Sequence, residues 1–134
     1  MIYITVGTYP NGFDELIIML DQYAKKNEQL KFIAQISGGK YKPQHMSYVN
    51  FYANDIHLSH IRDASVVITH VGLASIAEVA KFYPKKLLVY PRKNFSLHDQ
   101  IVSAKLLLKY YPFKLILSED EMFKNLSENI KQSV

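Results

Sequence analysis

Residues 65–91, SVVITHVGLASIAEVAKFYPKKLLVYP, decide how this chain folds. Val66-Val67-Ile68-Thr69 is an apolar, β-branched run that suits a strand buried on both faces. A turn at His70-Val71-Gly72 leads into helical spacing from Leu73. Ile76, Val79, Ala80 and Tyr83 share one face of that helix, and Pro84 closes it from beyond its end. Leu87-Leu88-Val89-Tyr90 is a second buried strand, stopped by Pro91. The unit is β-α-β with a right-handed crossover. It places a helix N-terminus, with its unpaired N–H groups, at the carboxyl edge of a parallel sheet, where an anion such as phosphate finds donors. Glu78 lies one turn along that helix, within reach of a sugar hydroxyl beside such a phosphate.

Strands and helices alternate outward from this unit. Residues 2–6 are expected to form the first, central strand, followed by a turn-rich loop over 7–12. Phe13, Leu16, Ile17, Leu20 and Ala24 mark a helix with Asp14 and Glu15 in its first turn. Residues 31–36 and 48–51 read as strands. Asp55 is expected to cap a short helix carrying Ile56, Leu58 and Ile61. Beyond the central unit, a polar loop over 92–96 precedes a helix over 97–110 with Ile101, Ala104 and Leu108 inward. Residues 113–117 form a last strand. Ser118 caps a final helix with Glu119, Asp120 and Glu121 in its first turn, Met122, Leu126 and Ile130 on one face, and Lys131 near its end. The expectation is a single α/β domain over residues 1–134. It is Rossmann-like and three-layered, with a mostly parallel sheet of about six strands in the order 3-2-1-4-5-6. Gly7-Thr8 and the turn from His70 to Ser75 then meet at one crevice, where the order reverses.

Composition narrows the function classes. A chain of 134 residues, 49% hydrophobic and 21% charged, is globular and can bury a real core. No apolar run approaches the roughly 20 residues that span a bilayer, and the first residues lack the basic start of a secretory signal. Without cysteine there is no disulfide or thiolate chemistry. A cytoplasmic location is expected. The formal charge of +4 favours anionic partners such as nucleotide phosphates or an acidic lipid face, and is too small and too evenly spread for nucleic acid. The densest basic cluster, Lys105, Lys109 and Lys114 around Tyr110-Tyr111, reads as a solvated helix end over a packed aromatic.

Individual residues leave alternatives open. Gly7 and Thr8 suit a tight turn. His70 is either a core histidine or a catalytic group. Gly72 permits a positive φ or a close backbone approach, and a phosphate cradle uses both. Ser75 is a first-turn hydroxyl able to donate to a phosphate oxygen. Glu78 interrupts an apolar helix, either as a solvated face or as a ligand. His98-Asp99-Gln100 opens the later helix at the same sheet edge; Asp99 and Gln100 suit a first turn, and an amide beside a carboxylate can also sort sugar hydroxyls. No metal site is expected. Adjacent His98 and Asp99 point apart on a helix, and His45, His57 and His60 lack ligand spacing, with His57 and His60 expected at the surface. Motifs of the P-loop, GxGxxG, GxSxG and HExxH types are absent.

Taken together, Ile4-Thr5-Val6-Gly7-Thr8, Phe13-Asp14-Glu15-Leu16-Ile17, Ile68-Thr69-His70-x-Gly72-x-x-Ser75-Ile76-x-Glu78 and Gln100 at a helix start resemble the C-terminal half of GT-B glycosyltransferases of glycosyltransferase family 28. The similarity covers nearly the whole chain. Within the family it resembles short soluble subunits of two-part enzymes. These are bacterial exopolysaccharide galactosyl- or glucuronosyltransferases, and the eukaryotic transferase that adds the second N-acetylglucosamine to the dolichol-linked precursor. The resemblance implies the donor-binding catalytic subunit of an inverting, metal-independent hexosyltransferase with a UDP-sugar substrate and no cofactor. Its membrane-anchored partner would bring the lipid-linked acceptor and the general base. Glu78 would hold the ribose, the backbone of Gly72, Leu73, Ala74, Ser75 and Ile76 would face the diphosphate, and Asp99 and Gln100 would meet the donor sugar. Gly7, Thr8, His70 and Arg92 would line the cleft, His70 being the catalytic candidate on this chain. Val71 and Ala74 stand where the family commonly has glycine, and only Gln100 carries over from its H-x-x-D-H-Q pattern. A non-catalytic interaction module is therefore the alternative. A flavodoxin- or receiver-like domain would want acidic residues where Gly7-Thr8-Tyr9-Pro10 stands.

Overall fold

Alternation along each strand sorts the core into two halves. The computed structural model describes the backbone of residues 1–82, 86–93 and 96–132. Strands β1 (Ile2–Thr5), β2 (Phe32–Gln35), β3 (Ser47–Val49), β4 (Val66–His70), β5 (Lys86–Tyr90) and β6 (Lys114–Leu115) form one six-stranded sheet. Ile2, Ile4, Phe32, Ala34, Val66, Ile68, Leu88 and Tyr90 pack on one face, and Tyr3, Ile33, Val67, Leu87 and Val89 on the other. A sheet covered on both faces needs apolar side chains at successive positions, which is why β1 and β4 read as nearly unbroken apolar runs.

The first face carries α1 (Asp14–Lys26) through Leu16, Ile17 and Leu20, and α5 (Glu119–Gln132) through Met122 and Leu126. The second carries α2 (Asn54–Asp63) through Ile61, α3 (Leu73–Ala80) through Ile76 and Val79, and α4 (Leu97–Leu107) through Leu107. The order is β3-β2-β1-β4-β5-β6 and every ladder is parallel, as the alternation of elements in the sequence predicts. This is the Rossmann-like, three-layered architecture expected from the sequence.

Several local expectations need correction. α2 begins at Asn54 after Ala53, so Asp55 sits inside its first turn and makes no cap bond. Ile56 is exposed, because that helix turns only Ile61 fully into the core. α4 stops at Leu107, which takes the inner position expected of Leu108, and Leu108 faces solvent in the turn beyond. The expected Ser118 cap is present, its Oγ accepting from Glu121 N–H at 3.1 Å, and Ser96, at the end of the polar loop, caps α4 by accepting from Asp99 N–H at 3.3 Å. Tyr111 packs on the second core while Tyr110, Lys105, Lys109 and Lys114 are exposed. Tyr83 and Pro84, expected to end α3, lie outside the described residues, as do the side chains of Ile130 and Lys131.

One buried carboxylate staples the long β2–β3 connection onto α1. Asp21, 1% exposed, accepts from the Tyr41 hydroxyl, from His45 N–H at 2.8 Å and from Gln44 N–H at 3.0 Å. Burial works against its charge, but the donors from Tyr41, Gln44 and His45 outweigh burial and hold the carboxyl below the usual range. Asp21→Asn is expected to cost roughly 2 kcal/mol at pH 7, since an amide presents N–H groups to donors that need an acceptor. The folded pKa lies below the unfolded one, so this contribution is complete above the ordinary carboxylate value of about 3.9 and is lost as the pH falls through the folded value. Urea titrations of both proteins should therefore differ widely at pH 7 and converge in acid; a gap that persists at pH 2 would assign the loss to packing alone.

Candidate functional site

Apolar side chains on the second sheet face give out at the carboxyl ends of the strands. Thr5, Gln35 and Thr69 stand there, buried, in one row across the sheet: Thr5 is in register with Gln35 on one side and Thr69 on the other. They satisfy one another. Thr69 Oγ1 donates to the Thr5 carbonyl at 2.7 Å, Gln35 Nε2 donates to Thr5 Oγ1 at 3.3 Å, and Gln35 Oε1 accepts from Tyr52 N–H at 2.8 Å. Thr5 and Gln35 floor a cleft of about 480 Å³. Its walls are Gly7 and Thr8 after β1, Phe51, Tyr52, Asn54 and His57 after β3, and His70, Gly72, Leu73, Ala74, Ser75 and Glu78 after β4. The two turns expected to converge do meet here.

Helix α3 opens directly onto this cleft. Gly72 is its N-cap, with an extended backbone (φ −156°, ψ 127°) and no side chain to satisfy the first N–H groups. Ile76 N–H donates to the Gly72 carbonyl at 3.0 Å and closes the first turn. Ile76 is therefore not available as a backbone donor, and its side chain is in the core. The N–H groups of Leu73, Ala74 and Ser75 precede that bond and have no partner within the helix. With no acidic residue in the first turn, the positive end of the helix dipole faces the cleft uncompensated.

Gly7 and Gly72 are glycine because of His70. A Cβ on Gly7 would lie 2.5 Å from Nε2 of that ring, and one on Gly72 would lie 2.6 Å from Cε1. Gly7 also has φ +76°, whereas Gly72 needs only the close approach. Burial, and after it the Arg92 cation, push the His70 imidazole down to about 4, so the ring is neutral at pH 7. Its Nε2 lies 3.4 Å from Ser75 Oγ.

Among the described residues, Glu78 is engaged on one side only. Its Oε1 accepts from His57 Nε2 at 2.6 Å, and His57 Nδ1 lies 2.7 Å from the Tyr3 hydroxyl. His57 is thus not at the surface as the helical spacing suggested: its side chain is 13% exposed, because two hydrogen bonds replace its hydration. Tyr3 is fully buried, and burial first, then Tyr52 and Glu78, push its phenol upward.

Three expected site residues lie elsewhere. Arg92 does not line this cleft; it is buried, donating to the Val6 carbonyl at 3.1 Å and to the Gly12 carbonyl, with Phe13 stacked 4.5 Å below. The carbonyls and ring of the β1–α1 connection replace water around its guanidinium. Gln100 Oε1 accepts from Arg92 N–H at 3.2 Å, and Asp99 is exposed on the first turn of α4; neither lines the cleft. Val71 turns into the second core, while Ala74 faces the cleft. Among the described residues, no three His, Asp or Glu side chains gather to hold a metal ion, and no helix is long and apolar enough to cross a membrane. Thr5 and Gln35 carried a readable signal, a polar residue closing an apolar strand. Asn54 and His57 carried none, since their placement depends on how α2 sits over the sheet.

The profile of the glycosyltransferase family 28 C-terminal domain matches residues 1–134. Among solved structures the chain is similar to the crystal structure of the glycotransferase of kitacinnamycin, with a TM-score of 0.65 at 17% identity, covering 90% of this chain and 32% of that one. The chain therefore spans well under half the length of that protein. No curated protein sequence matches it.

The His70 packing yields two measurable outcomes. Gly72→Ala should destabilise the fold by about 1–3 kcal/mol, and adding His70→Ala should recover most of it, a coupling of at least ~1 kcal/mol in a double-mutant cycle; additive effects would place the clash elsewhere. As the pH falls from about 6.5, the unfolded chain takes up the His70 proton before the folded one does. Stability is then lost down to about pH 4. His70→Ala should flatten that slope in denaturant titrations, and an unchanged slope would exclude His70 as its source.

Proposed function

The chain belongs to the glycosyltransferase family 28 C-terminal domain family, and from that premise we propose that it is the UDP-sugar-binding catalytic half of a two-component, inverting hexosyltransferase. In this reading it extends a lipid-linked saccharide in exopolysaccharide synthesis, and works at the cytoplasmic membrane face through a membrane-anchored partner. One observation carries the donor assignment: a single cleft holds both the open N–H groups that begin α3 and a carboxylate one turn along.

A diphosphate would rest on the N–H groups of Leu73, Ala74 and Ser75, with Ser75 Oγ as a further donor. Glu78 would accept from the ribose hydroxyls, and Gly7 and Thr8 would close the facing wall. The acceptor oxygen attacks the sugar's anomeric carbon from the face opposite the diphosphate. The bond to the phosphate oxygen breaks, and negative charge collects on departing UDP. Fixed N–H donors and the helix dipole meet that charge without having to reorganise. The sugar would extend from the cleft toward Asp99 and Gln100 on α4.

The base that takes the acceptor proton is assigned to the partner. His70, with its imidazole at about 4, is a weak base at neutral pH, and both nitrogens of His57 are engaged. The methyl of Ala74 on the cleft wall favours a second reading, a non-catalytic module of the same complex. Calorimetry with UDP on the full chain separates the two. The donor reading expects measurable binding, weakened at least about tenfold (about 1.4 kcal/mol) in Glu78→Ala. A wild-type protein that binds no UDP, alone or with its partner, leaves the module reading.

A further inference from the structure

Three elements converge on one imidazole. His57 projects from α2, Tyr3 from β1 beneath it, and Glu78 from α3 beside it, with contacts of 2.7 Å to the Tyr3 hydroxyl and 2.6 Å to Glu78 Oε1. The proton positions follow from the chemistry of the groups. A carboxylate only accepts, so Nε2 carries a hydrogen; in the neutral ring Nδ1 is then bare, and the phenol must donate to it. Tyr3 is fully buried and is enclosed by other rings, Tyr52 at 6.2 Å and His60 at 5.2 Å between centroids. It is therefore a fixed anchor. The chain runs one way, from the Tyr3 hydroxyl through His57 to Glu78.

We infer that His57 is a positioning residue for the donor site: anchored by Tyr3, it binds Glu78 Oε1 and so aims Oε2 into the cleft. This deepens the donor reading and rests on Glu78 as the ribose ligand. A glutamate on a helix surface has several side-chain torsions free, and binding through it must freeze them. Here the His57 bond freezes them before the ligand arrives, which leaves the carboxylate pre-organised. Among the described residues Oε2 has no hydrogen-bond partner, while the residue lines the cleft. The same bond ties α2 to α3 beside the cleft, so the ribose position depends on an element that carries no proposed ligand to the diphosphate. The competing reading is that His57 serves only to satisfy the buried Tyr3 hydroxyl. It predicts lost stability without any effect on ribose discrimination.

The test compares UDP with 2′,3′-dideoxy-UDP by calorimetry on the full chain, because the ratio of their affinities reads the ribose contact separately from the diphosphate contact. Wild type should favour UDP by about tenfold or more, as expected for losing hydrogen bonds to a charged acceptor. His57→Leu should pull that ratio down roughly fivefold or more, with dideoxy-UDP affinity nearly unchanged. His57→Gln, whose amide can still donate to Glu78, should restore most of it. A folded His57→Leu protein that keeps the wild-type ratio overturns the inference and leaves the donor reading standing. A wild-type protein that binds UDP but not better than dideoxy-UDP overturns the ribose role of Glu78, and one that binds no UDP overturns the donor reading; the inference falls with either. If His57→Leu does not fold, two other measurements decide. Tyr3→Phe should lower the ratio about twofold, and the imidazole nitrogen spectrum of the free wild type should show hydrogen on Nε2 and a bare Nδ1. An unchanged ratio in Tyr3→Phe, or the opposite tautomer, overturns the inference.

Discussion

β1 pairs with β4 from Ile2–Val66 to Thr5–Thr69, and the strand order reverses across that ladder. From β1 the chain moves toward β2 and lays α1 on the first face; from β4 it moves the opposite way, toward β5, and lays α3 on the second. Right-handed crossovers running in opposite directions must place their helices on opposite faces. The turns after β1 and β4 therefore part as they leave the sheet, and the gap between them cannot be filled by either helix. That gap is the cleft, which is why its position follows from topology and not from any one side chain.

Building a polar cleft into the end of an apolar sheet has a cost, and the fold meets it locally. The row Gln35, Thr5 and Thr69 replaces aliphatic side chains with groups that bond to each other and to the Tyr52 backbone, so burial strands none of them. Among the described residues, the buried side-chain polar atom left without a partner is Asn125 Oδ1, on α5. That helix covers the first face, away from the cleft. His70 is treated differently. It is kept neutral by burial and wedged where Gly7 and Gly72 approach it, so the ring braces the two turns that bound the cleft. A cation there would be repelled by the Arg92 guanidinium.

Strand order, element types and the meeting of the two turns were legible because they depend on period-two runs and on the right-handed rule, both of which are written locally. Gly72 shows the limit of such reading. Spacing left a positive φ and a close approach equally open, and only the position of the His70 ring shows that close approach is the reason. Arg92 stands in a polar-looking loop, yet the carbonyls of Val6 and Gly12 draw it inward, because a guanidinium fork can donate to two backbone acceptors at once. Helical spacing points His57 to the surface for a related cause. Its partners Tyr3 and Glu78 are distant in sequence, and no periodicity within α2 encodes a bond to either.

In the two-component reading proposed above, these placements divide the chemistry between two halves. Everything the cleft offers is suited to holding an anion and a hydroxyl in place: backbone donors, a braced turn, a restrained carboxylate. Its histidines are not suited to removing a proton from an incoming alcohol, since one is too weakly basic and the other has both nitrogens bonded. Phe51 and Leu73, 56% and 59% exposed, stand at the open side of the same cleft. Large apolar side chains at the mouth of a polar site lose their water only when a second surface closes over them. A second half arriving there would cover those residues, exclude solvent from the diphosphate, and bring its base to the sugar in one step. In the donor reading, leaving the base off this chain would also keep bound UDP-sugar from being hydrolysed while it waits.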